Sequence, residues 1–414
     1  MKAISLFTGA GGLDYGFEAA GFETAIAVEM DKDAASTLRA SRGWQVIEED
    51  IHGVTSQRIL KEAGLREGDA DVLIGGPPCQ PFSKASYWAY GDSKRLDDPR
   101  ADTLLAYMRV VRDSLPRVFV LENVHGIAYS GKEEGLSLIF KIIEEINRER
   151  GVSYAPVWKV INAADYGVPQ LRSRFFLVAH RDGRGFGFPE PTHAPIPLEE
   201  HLLNFGDLVP YTTAWDAIGE ITPDPDEDLS VKGKWADLLP SIPEGENYLW
   251  HTPRGGGLPL FGWRTRYWNF LLKLAKNRPS WTIPASPGPA TGPFHWSNRL
   301  LSVGELAALQ TFPRNVHFRG SRLSVQRQIG NAVPSLLAEV IARAIARQLL
   351  NETLPQEPTL AVRLMRPIPD PEPVLPVPHK YLHLVGNHPE HPGTGRGPRG
   401  RAQQSREELV ATLG

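Results

Sequence analysis

A chain of 414 residues has room for two domains and a substantial core, and 41% hydrophobic with 22% charged residues is the composition of a soluble globular protein. Its one cysteine excludes an internal disulfide framework and a multi-cysteine zinc site, fits a reducing cytoplasm, and leaves no metal centre to expect. The start, Met1 to Phe7, breaks too soon for a signal peptide, no apolar run approaches the ~20 residues that span a bilayer, and the net charge of −3 does not advertise a nucleic-acid binder.

In chain order, Ala3 to Phe7 reads as a short apolar strand and Thr8 to Gly12 as a glycine-rich turn. Leu13 to Ala20 reads as a helix ended by Gly21. Thr24 to Val28 is a second strand, ending at Glu29. Asp33 to Arg39 is a helix, and Gln45 to Glu48 a third strand ending near Asp50. Asp71 to Ile74 is a fourth strand, stopped by Gly75 and Gly76 and stiffened by Pro77 and Pro78. Leu104 to Leu115 is helical, Arg117 to Leu121 is the fifth strand, and Leu136 to Arg150 is a long amphipathic helix. Trp158 to Ile161 and Phe175 to Ala179 are late strands. This alternation predicts an α/β fold with a parallel sheet and crossover helices.

From Gly183 to Ser286 no periodic pattern persists, and seven of the ten tryptophans fall between 215 and 296, the texture of a second, irregular domain. Trp263, Trp268 and Trp281 are expected in its core rather than on its surface. From 251 to 350, thirteen Lys and Arg face only Glu305 and Glu339, a local charge of +11 against −14 elsewhere. Such asymmetry suggests one face that meets a polyanion, with a solvated basic face as the alternative. Ser302 to Leu309 and Ser335 to Leu350 read as helices. Residues 351–414, rich in Pro, Gly, Arg and His, are expected to be mostly disordered.

The chemistry concentrates at Gly75-Gly76-Pro77-Pro78-Cys79-Gln80-Pro81-Phe82-Ser83. A stiff turn at the carboxyl end of a strand aims one sulfur, as a nucleophile requires. A lone cysteine is otherwise a small buried hydrophobe, but flanking prolines and polar residues make a core position a poor fit. Near the amino terminus, Phe7-Thr8-Gly9-Ala10-Gly11-Gly12 joins a strand to a helix, where backbone N–H groups meet a ligand. Glu29 lies twenty residues beyond Gly9, placed to hold ribose hydroxyls, and Asp50 could accept from an adenine amino group. This geometry implies an adenosine nucleoside without separating a dinucleotide from S-adenosylmethionine.

Six blocks in order resemble the DNA (cytosine-5) methyltransferases, of the bacterial restriction–modification type. They are Phe7–Gly12, Gly76–Ser83, Glu122-Asn123-Val124, Gln170-Leu171-Arg172-Ser173-Arg174, Arg299 with Glu305 and Leu309–Pro313, and Gln328–Pro334. The resemblance covers about 1 to 350. It implies an α/β fold: a Rossmann-like S-adenosylmethionine-dependent methyltransferase sheet with a second, smaller irregular target-recognition domain. It implies a discontinuous catalytic domain, 1–182 plus 299–350, around a recognition domain at 183–298.

Family matches make Cys79 the thiolate that adds to cytosine C6 and Glu122 the contact to N3 and the exocyclic amine. Arg174 matches the group that holds O2, with Arg172 and Gln170 in support. Glu122 is expected to carry a raised pKa, since acting on N3 needs a shared proton. Around S-adenosylmethionine the matches are Phe7, Gly9, Gly11, Gly12, Glu29, Met30, Asp50, Ile51, Pro77, Asn331, Ala332 and Val333. The family usually has a larger aromatic residue in place of Met30.

A base inside a duplex must be flipped out before C5 and C6 are reachable. Gln80 to Pro99 is expected to form a mobile loop that closes on it, with Gln80, Ser83 and Arg100 near phosphates. Arg254, Arg264 and Arg266 are candidate groove contacts, which favours a G·C-containing site. The implied partner is double-stranded DNA containing a target cytosine, with a cognate restriction endonuclease acting on the same site as a further candidate. A cytoplasmic monomer is expected. The competing readings are a silent binding protein of the same fold, an RNA substrate, and a nicotinamide-dependent oxidoreductase.

Overall fold

Strands buried on both faces lose the apolar–polar alternation and read as continuous apolar runs, and Lys2–Leu6 (β1) and Val72–Gly75 (β4) do so here. The structure is a computed structural model that describes residues 1–78, 102–124, 134–195, 208–263 and 267–386. In chain order, β1 is followed by Gly12–Ala19 (α1), Glu23–Val28 (β2), Lys32–Arg42 (α2), Val46–Ile47 (β3) and Ser56–Glu62 (α3). After β4 come Asp102–Ser114 (α4), Val118–Val124 (β5), Glu134–Arg150 (α5), Val157–Asn162 (β6), Gln170–Leu171 (β7) and Ser173–His180 (β8). The seven-stranded sheet runs β3-β2-β1-β4-β5-β8-β6.

The sheet is mixed rather than wholly parallel: β8 lies antiparallel between β5 and β6. The physical reason is the short return from Asn162 to Ser173, which holds only a 3-10 turn and β7 and cannot carry a crossover helix. One face packs Ile59 of α3, Tyr107 and Val111 of α4, and Ile143 of α5 against Ile4, Leu6 and Leu73. The other packs Phe17 of α1 and three residues of the last helix, Leu337, Ile341 and Ile345, against Val72, Val120 and Phe176.

Short pairs His193–Ala194 (β9) with Val209–Pro210 (β10), and Ser280–Trp281 (β11) with β7, decorate this body. The remaining helices are Ala214–Ile218 (α6), Val303–Leu309 (α7), Arg322–Asn331 (α8) and Ser335–Leu349 (α9). The pattern has no helix at α3, α6 or α8. α3 and α6 are one or two turns long, and α8 carries few apolar residues, of which Leu323 is 73% exposed. Taken together across the break at 332–334, α8 and α9 have the length and composition of a membrane span, but 83% of that apolar window is buried inside the fold, as in a core helix.

Two expectations change. Residues 351–386 are a packed strap, not a disordered tail; 387–414 lie outside the described residues. Buried Glu339 on α9 accepts from Thr359 N at 2.7 Å and Leu360 N at 2.8 Å. Further on, Arg366 pairs with Asp216, Glu372 reaches Lys276 at 2.9 Å, and Tyr381 stacks on Trp235. Proline-rich chain with few periodic signals gains its order here from partners elsewhere. The positive excess at 251–350 is likewise not one basic face. Lys276, Arg299, Arg322, Arg327 and Arg343 are spent on carboxylates of the fold, and Lys273 is buried on the Ile242 carbonyl.

Candidate active site

β1 leads into a turn that faces the carboxyl edge of the sheet. Phe7 takes a left-handed conformation at φ 54°, and Ser5 Oγ meets Thr8 Oγ1 at 3.0 Å to hold the bend. Gly11 caps α1 at φ 84°, and a Cβ on Gly12 would lie 2.4 Å from the Val333 carbonyl oxygen. The turn thus admits the Asn331–Val333 segment only because side chains are absent there.

Glu29 ends β2 with both carboxylate oxygens occupied: Gly9 N donates to Oε2 at 2.7 Å and Asp31 N to Oε1 at 2.8 Å. Burial pushes its pKa up, opposed by those backbone N–H groups. Asp50 lies three residues past β3, caps the short 3-10 turn Ile51–Gly53, and accepts from His52 N at 3.0 Å and His52 Nδ1 at 2.6 Å. The backbone N–H of His52, then its ring, hold the Asp50 carboxyl below its ordinary value. Ile51 is buried beside it, whereas Met30 is 65% exposed at the rim.

Behind the site, Asn123 Nδ2 donates to the Pro77 carbonyl at 3.1 Å and Thr103 Oγ1 to the Pro78 carbonyl at 3.1 Å. These two bonds pin the chain up to Pro78. Cys79, Gln80, Ser83, Arg100, Arg264 and Arg266 lie outside the described residues, as does the loop from Gln80 to Pro99.

Glu122 and Arg174 lie on neighbouring antiparallel strands, Glu122 opposite Phe176 and Arg174 opposite Val124, so their side chains share a face. Arg174 Nε donates to Glu122 Oε1 at 3.0 Å. Burial raises the Glu122 pKa, and the charges of Arg174 and then Arg172 work against it. Burial lowers that of Arg174, with Glu122 opposing.

Arg172 stands apart from this pair. It is 1% exposed, and its Nη2 donates to the carbonyls of Gly330 at 2.7 Å and Ala332 at 2.9 Å. Burial, then the Arg174 charge, push its guanidinium down; carbonyl acceptors satisfy Nη2, whereas the buried Nε has no partner among the described residues. Gln170 is buried next to it and donates to the Leu309 carbonyl at 3.3 Å. Both act as braces between the catalytic strand and the last segments of the chain.

One cavity of about 450 Å³ joins these parts. Phe7, Gly9, Gly12, Glu29, Met30, Asp50, Ile51, Pro77, Asn331, Ala332 and Val333 line it, together with Glu122 and Arg174; Gly11 adjoins it and Arg172 does not line it. The volume suits a nucleoside-sized ligand. Sequence reasoning missed Asp14, His52, Thr103, Asn123 and Arg327 in this lining. Asn123 lay within the Glu122-Asn123-Val124 block and Asp50-x-His52 is a capping spacing; Thr103 carried no signal.

In the irregular region, Arg254 is exposed, with its guanidinium over the Trp263 ring at 3.8 Å. Trp263 and Trp268 are 41% and 48% exposed, which corrects the expectation of core tryptophans. The core beneath is built instead from Trp235, Tyr248, Phe261, Phe270 and Phe294.

The family profile described as C-5 cytosine-specific DNA methylase matches residues 1–347. The type II methyltransferase M.SacI of Streptomyces achromogenes is 38% identical, over 84% of this chain and 93% of that protein. M.AquIA of Picosynechococcus, also a type II methyltransferase, is 46% identical over 54% of this chain and 89% of its own. Among solved structures, S. pombe Dnmt2 methyltransferase superposes with a TM-score of 0.55 at 15% identity, covering 84% of this chain and 98% of that one, a likeness of fold.

Proposed function

Because the chain belongs to the C-5 cytosine-specific DNA methylase family and is a DNA cytosine-5-methyltransferase of restriction–modification type, we propose that it methylates a flipped-out cytosine through Cys79. The observation that carries this reading is the single cavity lined both by Glu29, Met30 and Val333 and by the Glu122–Arg174 pair. S-adenosylmethionine, when bound, supplies a methyl group on an electrophilic sulfonium. Glu29 would hold the ribose hydroxyls, Met30 would contact the adenine, and the backbone N–H groups of the Phe7–Gly12 turn would meet the amino-acid end.

Cytosine C5 is a poor nucleophile. The Cys79 thiolate adds to C6, and Glu122, whose pKa burial raises, shares a proton with N3 as that nitrogen gains charge. Arg174 holds O2 and fixes the Glu122 carboxyl. The electron-rich C5 would then form its bond to the methyl carbon as the S–CH3 bond breaks and S-adenosylhomocysteine leaves. Transfer of the C5 proton to solvent water and departure of the Cys79 thiolate with the C6–S electron pair restore the aromatic ring. Arg172 belongs to the support of this site rather than to its contacts.

The substrate is duplex DNA with a short specific sequence, read by the region 183–298 inserted into a catalytic domain of 1–182 plus 299–350. Base flipping, a cytoplasmic monomer, and a cognate endonuclease on the same site complete the proposal.

The test is expression in a host lacking cytosine methylation, followed by bisulfite sequencing of its genome. One recurring methylated motif is expected, absent with Cys79→Ser while DNA binding persists. Full turnover by Cys79→Ser removes the covalent step. An unmodified genome from folded protein transfers the weight to RNA.

A further inference from the structure

Thr252 to Gly257 forms a tight turn in the irregular region. Gly255 N donates to the Thr252 carbonyl at 2.9 Å and Gly257 N to the Trp250 carbonyl at 3.0 Å. The turn wraps Trp250 so closely that a Cβ on Gly256 would lie 2.3 Å from its indole. Trp250 in turn packs on the buried aromatic core. His251 ties the base of the turn down, with ring contacts to Ser241 Oγ at 2.8 Å and the Leu258 carbonyl at 3.0 Å. A fixed turn therefore presents Arg254, and the Trp263 face at 3.8 Å limits where its guanidinium goes.

Stacking on an indole spends the flat face of a guanidinium and leaves its N–H edge free. Among the described residues no carboxylate pairs with Arg254. A planar fork held in one orientation matches the N7 and O6 acceptors of guanine in the major groove. A phosphate can accept the same fork, but only a base contact ties its effect to one position of the recognition sequence.

The irregular region that carries the pair is joined to β7, which leads into β8. Trp268 packs edge-on against Trp281 at 5.9 Å, and Trp281 pairs with Leu171 in the β11–β7 ladder. Thr282 Oγ1 donates to the Leu171 carbonyl at 2.7 Å. Arg172 and Arg174 follow directly.

We propose that Arg254, backed by Trp263, reads one guanine of the recognition sequence, distinct from the guanine paired with the target cytosine. The inference rests on the duplex-DNA reading above and names a specificity determinant within it. Losing a bidentate guanine contact lowers discrimination at that position about ten- to a hundredfold.

The experiment compares the methylated motif of the full chain with those of Arg254→Ala, Arg254→Lys and Trp263→Ala, by deep bisulfite sequencing in a methylation-free host. Binding of S-adenosylmethionine is measured on each purified variant to establish folding. In Arg254→Ala and Arg254→Lys, one G·C position outside the target pair is expected to become degenerate while the rest of the motif stays fixed. Trp263→Ala is expected to relax the same position less.

An unchanged motif in all three, with wild-type DNA affinity, makes the stack a surface feature and overturns the proposal. An unchanged motif with uniformly weaker binding makes Arg254 a phosphate contact and overturns it equally. If Arg254→Ala fails to fold, the motif of Arg254→Lys decides. Should the wild-type protein methylate no DNA at all, the functional reading fails first.

Discussion

The catalytic body and the irregular region with its strap are held together differently. In the body, parallel strands buried on both faces carry the load, and many ion pairs sit at the surface, as with Arg39 and Glu48. In the other region strands are almost absent, and charges lie inside. Lys276 and Glu244 are each 4% exposed and 3.0 Å apart, and the fully buried Asp216 carboxylate takes Met365 N and Arg366 from the strap. A sheet is specified by hydrogen-bonded registers that any apolar run can join. A region without one depends on particular polar partners, which leaves its surface loops free to vary and its interior intolerant.

The largest effect is expected in the body. Glu122→Gln keeps the side chain's shape but cannot exchange a proton, so kcat should fall by about 10²–10⁴ with DNA affinity intact. Burial raises the Glu122 pKa, so the protonated form persists to higher pH than an ordinary glutamate. Activity that needs this proton declines as pH rises through the raised value, and Glu122→Gln should lack that decline in kcat/KM. A variant as active as wild type would remove Glu122 from the chemistry.

Next comes Lys276→Met, which leaves Glu244 buried without its cation at a cost of about 3–5 kcal/mol. Denaturant unfolding followed by tryptophan fluorescence should show the irregular region opening first, while Arg39→Ala in the body unfolds like wild type. One cooperative transition in both would erase the contrast between the regions.

This contrast also decides what could be read from the amino-acid order. Strands such as Val72–Gly75 and helices such as Ser335–Leu349 announce themselves, because burial on a regular lattice imposes a period. The pocket was legible at Glu29 and Glu122 because strand ends and glycine turns fix position locally. How Arg172 lends support was not legible for the opposite reason: its carbonyl partners lie about 160 residues away, at Gly330 and Ala332. Met365 and Arg366 likewise find Asp216 across the chain, and no local pattern encodes that.

The strap offers a milder test. Tyr381 is 3% exposed, stacks on Trp235 at 5.5 Å and donates to the Lys234 carbonyl at 2.6 Å. Tyr381→Ala should cost about 3 kcal/mol, centred on the irregular region. Protease cleavage should rise there and DNA affinity fall, while binding of S-adenosylmethionine holds. Equal loss of both ligands would mean that the strap supports the whole molecule.

The smallest effect concerns Asp14 in α1, the body's counterpart to the buried charges of the other region. It is fully buried; Thr24 donates to Oδ1 at 3.3 Å, and Oδ2 has no partner. Burial raises its pKa to about 7 from 3.8. Between those values the folded state binds a proton that the unfolded chain has released, so stability falls as pH rises through this window and stays lowered above it. Below pH 3.8 the residue contributes no such penalty. Asp14→Asn removes the charge but buries an amide with imperfect partners, so the net gain at pH 8 should be about 1–2 kcal/mol. The thermal midpoint of the variant should therefore exceed wild type at pH 8 by a few degrees, and the advantage should vanish towards pH 4. A difference independent of pH would show that Asp14 titrates alike in the folded and unfolded chain.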